Sequence, residues 1–301
     1  MVFFWGLSFI IVDIAMEFVP SLSVALYRLI IASISITIIN VIYKNKGKDE
    51  IYEEIEIINN KNSLKRYWSL IIIASITGIS GYLFTIYTAV GLIGPSLPSF
   101  TDCLLSPIFI AFISLVIFKE KLNRKMIIGF VIASIGSYLL ITGGNIRILI
   151  FENPNFIGYI LALLSPVFWS TYTISIKKIK EINKRNSDFR NLSYITYFGC
   201  LELFILILLT NQLFIFLSNI LNLILFLCAL YLGLGAFIIG YYIWNFSLKK
   251  LKSSKVASFL YIQPFITLLF SFLFQRSDPI SLLNVVGGII ILISVLIIDN
   301  K

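Results

Sequence analysis

The sequence predicts an all-α integral membrane protein of ten transmembrane helices, arranged as two inverted five-helix repeats. Three observations carry this: long uncharged stretches, basic residues gathered on one side of the predicted spans, and a second half that echoes the first. Residues 67–101, 103–118, 126–146, 157–176, 256–275 and 279–298 hold no charged side chain. Each approaches the ~20 residues a helix needs to cross ~30 Å of hydrocarbon. Hydrophobic residues make up 58% of the chain and charged ones 13%, roughly half the charge that a soluble domain carries. A water-soluble fold is excluded.

In chain order, the first span is placed at 2–19, ending before Pro20, and the second at 21–43, ending at the basic run from Lys44. Residues 67–90 form the third, closed by Gly91 and Gly94-Pro95, and 95–118 the fourth, closed by Lys119. The fifth, 125–143, stops at Gly143-Gly144; the sixth, 156–176, stops at Lys177. The long apolar run 192–248 must hold two spans, 192–210 and 221–247, with the patch Thr210, Asn211, Gln212, Ser218, Asn219 and Asn222 turning between them. The last two are placed at 256–274 and 280–298. Met1 starts almost directly on the first span, with no basic n-region and no small-residue cleavage site, so it reads as a retained span rather than a signal peptide.

With the N-terminus inside, the segments 44–66, 119–125, 177–191 and 249–255 receive 6, 4, 6 and 4 Lys/Arg, while only Arg147 and Arg276 fall outside. That asymmetry fixes orientation, with both termini cytoplasmic and the protein multi-pass in the cell membrane. The same distribution explains the net charge of +9 without nucleic acid. The 44–66 segment repeats Ile51, Ile55 and Ile58 at helical spacing, which suits either a surface helix or a solvated connector. Cys103, Cys200 and Cys228 fall inside apolar runs and read as small hydrophobes rather than disulfide or metal partners. The chain has no His, so imidazole ligation and His-based catalysis are absent. No metal or cofactor is expected.

Trp5 opens WGLSFIIVDI and Trp169 opens WSTYTISIKK; Gly81-Tyr82 leads on to Pro107 and Gly129, as Gly240-Tyr241 leads on to Pro264 and Gly287. Five spans per half invert the second half relative to the first, dividing the chain at 1–148 and 149–301. Inverted repeats of this kind place a site near the midplane between halves.

On these residues the chain resembles the EamA family of the drug/metabolite transporter superfamily. The matching pieces are Trp5-Gly6 with Ser8-Phe9, Pro20 before Ala25-Leu26-Tyr27-Arg28, and Ser106-Pro107 leading through Phe118-Lys119-Glu120-Lys121-Leu122 to Gly129. Gln263-Pro264 and Gly287-Gly288 repeat the last pattern. The resemblance implies a secondary transporter of small metabolites, amino acids or related solutes among them, with export the expected direction. Two positions depart from it: Asp13, where the family often has Lys, and Gln275-Arg276, where it often has Glu. No particular cargo is carried over.

Ionisable residues inside a membrane cost at least ~2.5–3.5 kcal/mol and are functional candidates by default. At 1.5 Å rise per residue, Asp13, Arg28 and Asp102 all fall roughly 9–10 Å inside the outer face. They read as an ion-paired cluster, with either a structural role or one in recognising cargo charge or carrying a coupling proton. Glu17 lies nearer the surface. Glu202, near the midplane, is either a satisfied carboxyl packed between helices or a working group. Tyr87, Trp169, Tyr172, Trp244, Asn245 and Gln263 supply rings and polar tips suited to a cavity wall, as do Trp5, Tyr82 and Tyr241. Pro107 and Pro264 each remove a backbone hydrogen bond and are the expected hinges. Gly129, Ala133 and Gly136, mirrored by Gly287-Gly288, predict close helix contact, and Glu120 an ion pair at an inner turn. No Walker loop occurs, so transport draws on a gradient. An intramembrane enzyme acting on lipid or isoprenoid substrates, or a channel or structural protein, is the alternative, but paired Asp clusters and filter repeats are missing. The expected partners are a small solute, membrane lipids and a coupling proton, with no nucleic acid.

Overall fold

The computed structural model describes residues 1–45, 61–118, 123–144, 156–182, 188–276 and 282–299, and among these it is all helix and turn. The helices are α1 (Val2–Ala15), α2 (Ser21–Asn45), α3 (Lys61–Ser75, running on through Ile76–Ser80 into Gly81–Ile93) and α4 (Ser96–Phe118). Then come α5 (Arg124–Thr142), α6 (Phe156–Ile182), α7 (Asp188–Leu209), α8 (Leu223–Leu230, Tyr231–Ile239 and Gly240–Lys250), α9 (Ser253–Ser258, Phe259–Ile262 and Gln263–Leu273) and α10 (Leu282–Asp299). Among the described residues, seven stretches are long and apolar enough to cross a membrane: those of α2, α3, α4, α6, α7, α8 and α9. Val2–Ala15 and Val285–Ile298 are shorter apolar helices. This is an all-α, multi-pass membrane protein.

The boundaries follow local chemistry. Asn123 caps α5 by accepting from the Lys125 backbone N–H at 2.6 Å, and Gly143 ends it in the left-handed conformation that a side chain would strain. The first helix stops at Ala15, short of the expected 19, because Glu17 and Phe18 turn back to the carbonyls of Ile14 and Ala15 ahead of Pro20. The polar patch after α7 contains a short helix, Leu213–Asn219, between breaks at Asn211, with φ +56°, and at Asn222, which caps α8. The expected surface helix at Ile51, Ile55 and Ile58, Glu120, and Arg147 lie outside the described residues.

Two helices change pitch where nothing in the hydrophobic pattern announces it. Residues Ile76–Ser80 of α3 and Tyr231–Ile239 of α8 are π-helical, and each segment ends at the Gly-Tyr pair that marks the sequence echo, Gly81-Tyr82 and Gly240-Tyr241. Such widened turns are frequent at functional sites. In both, a carbonyl is taken by a side chain from another helix: Gly78 O by the Tyr241 hydroxyl at 2.8 Å, and Ala236 O by the Trp5 indole at 2.8 Å.

The glycines expected at close contacts are there. A Cβ on Gly129 would stand 2.3 Å from Ile298, and one on Gly136 2.9 Å from the Gly287 carbonyl, so α5 and α10 pack nearly backbone to backbone. The two prolines differ from one another in setting. Pro107 sits inside an unbroken α4, whereas Pro264 stands in the first turn of Gln263–Leu273, where its missing N–H costs little. The break in α9 is the 3-10 stretch Phe259–Ile262 just before it.

Candidate functional site

A cavity lies between the two halves of the chain, walled by α1, α2, α3, α4, α6, α8 and α9, with α5, α7 and α10 outside it. Its side chains include Trp5, Ser8, Arg28, Tyr82, Tyr87, Asp102, Trp169, Tyr241 and Gln263. The space open to water inside is about 30 Å³. By that measure one water needs roughly 10–15 Å³, so the cavity is contracted and no metabolite fits without helix separation.

Trp169 is the hub of the wall. Its ring centroid lies 5.2 Å from those of Trp5, Tyr82 and Tyr172, and 5.3 Å from those of Tyr241 and Trp244. Edge-to-face and tilted pairs at such distances are worth about 0.5–1.5 kcal/mol each beyond burial. The cluster joins α1, α3, α6 and α8, which is why the rings converge from remote parts of the chain.

The charged groups are arranged differently from the expected triad. Arg28 is buried and makes no ion pair among the described residues. Its Nη1 donates to the Tyr87 hydroxyl, and the guanidinium lies 5.7 Å from the Tyr87 ring centroid and 5.4 Å from that of Phe237. Asp102 is buried on the same cavity and accepts from the Tyr82 hydroxyl and from Ser106 Oγ, both at 3.0 Å. The carboxylate and guanidinium thus share a cavity while each is held by neutral partners.

Asp13 does not join them. It meets Arg276 Nη1 at 3.2 Å, and Arg276 Nη2 meets Glu17 at 2.5 Å. The cause is packing: α1 lies along α9, so the residue just past α9 reaches the carboxylates at the end of α1. The two positions that depart from the family pattern, Asp13 and Arg276, are partners and compensate one another. Because the trio is partly exposed, Arg276→Ala should lower stability by no more than ~1 kcal/mol. The deficit should vanish in thermal melts at 1 M salt, where screening acts over ~3 Å.

Of the predicted wall residues, Tyr87, Trp169 and Gln263 line the cavity, but Tyr172, Trp244 and Asn245 do not. They lie one turn further along α6 and α8, fully buried. There the Tyr172 hydroxyl donates to Asn245 Oδ1 at 2.9 Å, and Lys180, paired with Asp188 at 3.0 Å, donates to the Asn245 carbonyl. Three polar atoms on cavity residues have no partner among the described residues: Arg28 Nε, Trp169 Nε1 and Gln263 Oε1. Buried polar atoms are normally bonded, so these are free for a guest. Ser8, Phe9, Leu83, Ile86 and Leu260 complete the wall; Ser8 and Phe9 belong to the first-span motif, whereas Leu83, Ile86 and Leu260, as ordinary apolar-span residues, gave no signal in the sequence.

A multi-helix membrane bundle closed around a small polar and aromatic cavity is the build of a solute carrier. The chain belongs to the EamA-like transporter family, whose model matches twice, over residues 1–142 and 156–298. It is 24% identical over 307 residues to an uncharacterized transporter of Archaeoglobus fulgidus, covering 99% of this chain and 95% of that one. It is also 24% identical over 192 residues to the uncharacterized transporter YyaM of Bacillus subtilis, covering 64% of this chain and 60% of that protein. With an uncharacterized transporter of Clostridium kluyveri it shares 29% over 177 residues, 59% of this chain and 54% of the other. A solved crystal structure superposes with TM-score 0.64 at 17% identity, over 99% of this chain and 95% of the other, a likeness of fold. The chain spans just over half the length of two of these relatives, and its family is one of membrane transporters.

Proposed function

We propose that the protein is a gradient-driven carrier of a small zwitterionic metabolite, an amino acid or a close relative, working by alternating access and exporting its cargo. The observation that carries this is the unpaired buried guanidinium of Arg28 sharing one cavity with Asp102. A guanidinium in low dielectric without a counter-ion is expensive. A cargo carboxylate would relieve it, bonding the free Nε as well. A cargo ammonium would find Asp102, whose oxygens keep acceptor capacity beyond the two hydroxyl bonds they receive, beside rings that attract cations. Asp102 is also placed to exchange a coupling proton.

In this reading ten spans form two inverted halves, 1–148 and 149–301, with both termini cytoplasmic and the protein in the cell membrane. The duplicated family match and the π segments at matched Gly-Tyr pairs support that division. Access switches as the halves rock about the contracted cavity, with α3, α8 and the 3-10 turn before Pro264 yielding first.

Counterflow in proteoliposomes loaded with candidate amino acids tests the carrier. Labelled solute should accumulate transiently against unlabelled solute, and Asp102→Asn should insert normally but slow exchange about tenfold or more, since a removed charge partner costs a few kcal/mol. Accumulation that proceeds only down the total gradient would mean a channel.

A further inference from the structure

Glu202 is a carboxylate that the cavity does not use. It sits on α7, whose neighbouring Leu201, Phe204 and Ile205 face outward as exposed apolar side chains. Ser75 Oγ donates to its Oε1 at 2.6 Å and Ser80 Oγ to its Oε2 at 2.7 Å. These serines bracket the π segment Ile76–Ser80 of α3. The opposite side of that segment touches the cavity aromatics: Gly78 accepts the Tyr241 hydroxyl at 2.8 Å and presses on the Tyr172 ring. One short stretch of backbone therefore stands between a carboxylate and the cargo site.

Hydrogen counting distinguishes this site from an ordinary structural Glu. Each serine has one hydroxyl hydrogen. Each also lies within reach of a backbone carbonyl of its own helix, Ser75 of Ile72 O at 2.9 Å and Ser80 of Ile76 O at 3.4 Å. With Glu202 ionised, both hydrogens go to the carboxylate. With Glu202 protonated, its own O–H donates to one serine, whose hydrogen swings back to the helix carbonyl. Both states are satisfied, and they differ in what holds the π segment.

Among the described residues no cation offsets the charge. Arg28 on α2 is engaged by Tyr87; Lys65 and Arg66 lie nine or more residues from Ser75 along α3, at least ~13 Å; Asp188 and Arg190 are twelve or more residues away on α7 itself. Of the nearby phenols and thiols, Tyr82 donates to Asp102 and Tyr241 to Gly78, and Cys200 stands two residues before Glu202 on α7. An ionised carboxylate so placed is costly in a membrane, so proton uptake is its ready resolution.

We infer that Glu202 is a proton-binding site outside the cargo cavity, and that binding or releasing its proton resets the π segment of α3 against Tyr172 and Tyr241. The reaction is a single proton association, supplied by and returned to water. Its purpose, coupling, rests on the carrier reading; its existence does not.

The test uses the full-length protein in lipid nanodiscs without cargo. With Asp102→Asn in the background to silence that carboxyl, infrared spectra should show a protonated-carboxyl band that fades as pH rises and is lost when Glu202→Gln is added. Amide exchange of residues 76–80, corrected for intrinsic pH dependence, should change roughly tenfold across that titration, a usual size for coupling between sites. In Glu202→Gln it should stay at the low-pH level, because the amide offers one donor and one acceptor as the acid does. Ser75→Ala with Ser80→Ala should keep the band and lose the exchange response, which serves if the Gln variant does not fold. A titrating band equally intense in Asp102→Asn and in Asp102→Asn with Glu202→Gln, an exchange response surviving in Glu202→Gln, or a response surviving in the serine pair, overturns the inference. Counterflow failing for every solute would overturn the carrier reading and leave this site standing.

Discussion

Arg28→Ala should abolish cargo binding while leaving the fold intact. Most buried arginines are stabilising partners of a carboxylate, and truncating one strands its partner at a cost of several kcal/mol. Arg28 has no such partner: it holds one phenol and two ring faces, and its Nε is unbonded. Removing it costs the protein cation-π contacts worth ~0.5–2 kcal/mol and relieves a desolvated charge, so the thermal midpoint should hardly move. The cargo carboxylate, in contrast, would lose its only cation on the cavity wall. Such a loss is worth ~2–5 kcal/mol, or about 30-fold to several thousand-fold in Kd at 1.4 kcal/mol per decade. Arg28→Lys should not restore binding, since an ammonium lacks the planar fork that pairs with a carboxylate. Calorimetry with a solute that exchanges in counterflow reads the effect. An unchanged Kd would move the site away from α2, whereas a collapsed melting transition would show that the arginine is structural.

The same residue shows how much was legible in the sequence. The spans could be read because hydrocarbon imposes length and apolarity locally, and charge clusters cut the chain at their ends; α4, α6 and α8 begin or end within a few residues of expectation. That Arg28 and Asp102 lie buried inside the bundle could be read from their place within apolar spans. Which groups touch could not. Asp13 and Arg276 are 263 positions apart, and only the packing of α1 along α9 joins them; depth arithmetic set Asp13 beside Arg28 and could not see Arg276. Tyr172, Trp244 and Asn245 were on the right helices and one turn too far along, an error of about 5 Å that hydrophobic periodicity does not resolve. The π segments were invisible because residue types there, such as Ile76, Thr77 and Gly78, suit an α-helix equally well. Their only trace was the repeated Gly-Tyr, which marked the place without revealing the pitch.

Gly78→Ala should be among the most disruptive single-methyl changes in the protein. A Cβ there would stand 2.2 Å from Tyr172 Cδ2, and neither side has room to yield. The Tyr172 ring is held by its hydroxyl bond to Asn245 and packed against Trp169 and Tyr241 at 5.2 and 5.5 Å. The Gly78 backbone is held by the Tyr241 hydroxyl on its carbonyl. Overpacking of this kind costs about 1–3 kcal/mol, and here the strain falls on the π segment between the cavity and Glu202. A lowered melting temperature together with lost exchange activity is therefore expected. Gly91→Ala is the matched control: its Cβ would meet only the Met16 sulfur at 3.5 Å, an ordinary contact with a flexible partner. Replacing a helical Gly by Ala without a clash gains up to ~1 kcal/mol, so that variant should melt no earlier than the parent. Tyr172→Leu added to Gly78→Ala should recover much of the lost stability, because it removes the ring that the methyl strikes; a double-mutant cycle then isolates the contact. If Gly78→Ala melted with Gly91→Ala, or if Tyr172→Leu deepened its defect additively, the α3–α6 contact would be loose, and α3 could not carry a change at Glu202 to the cavity aromatics.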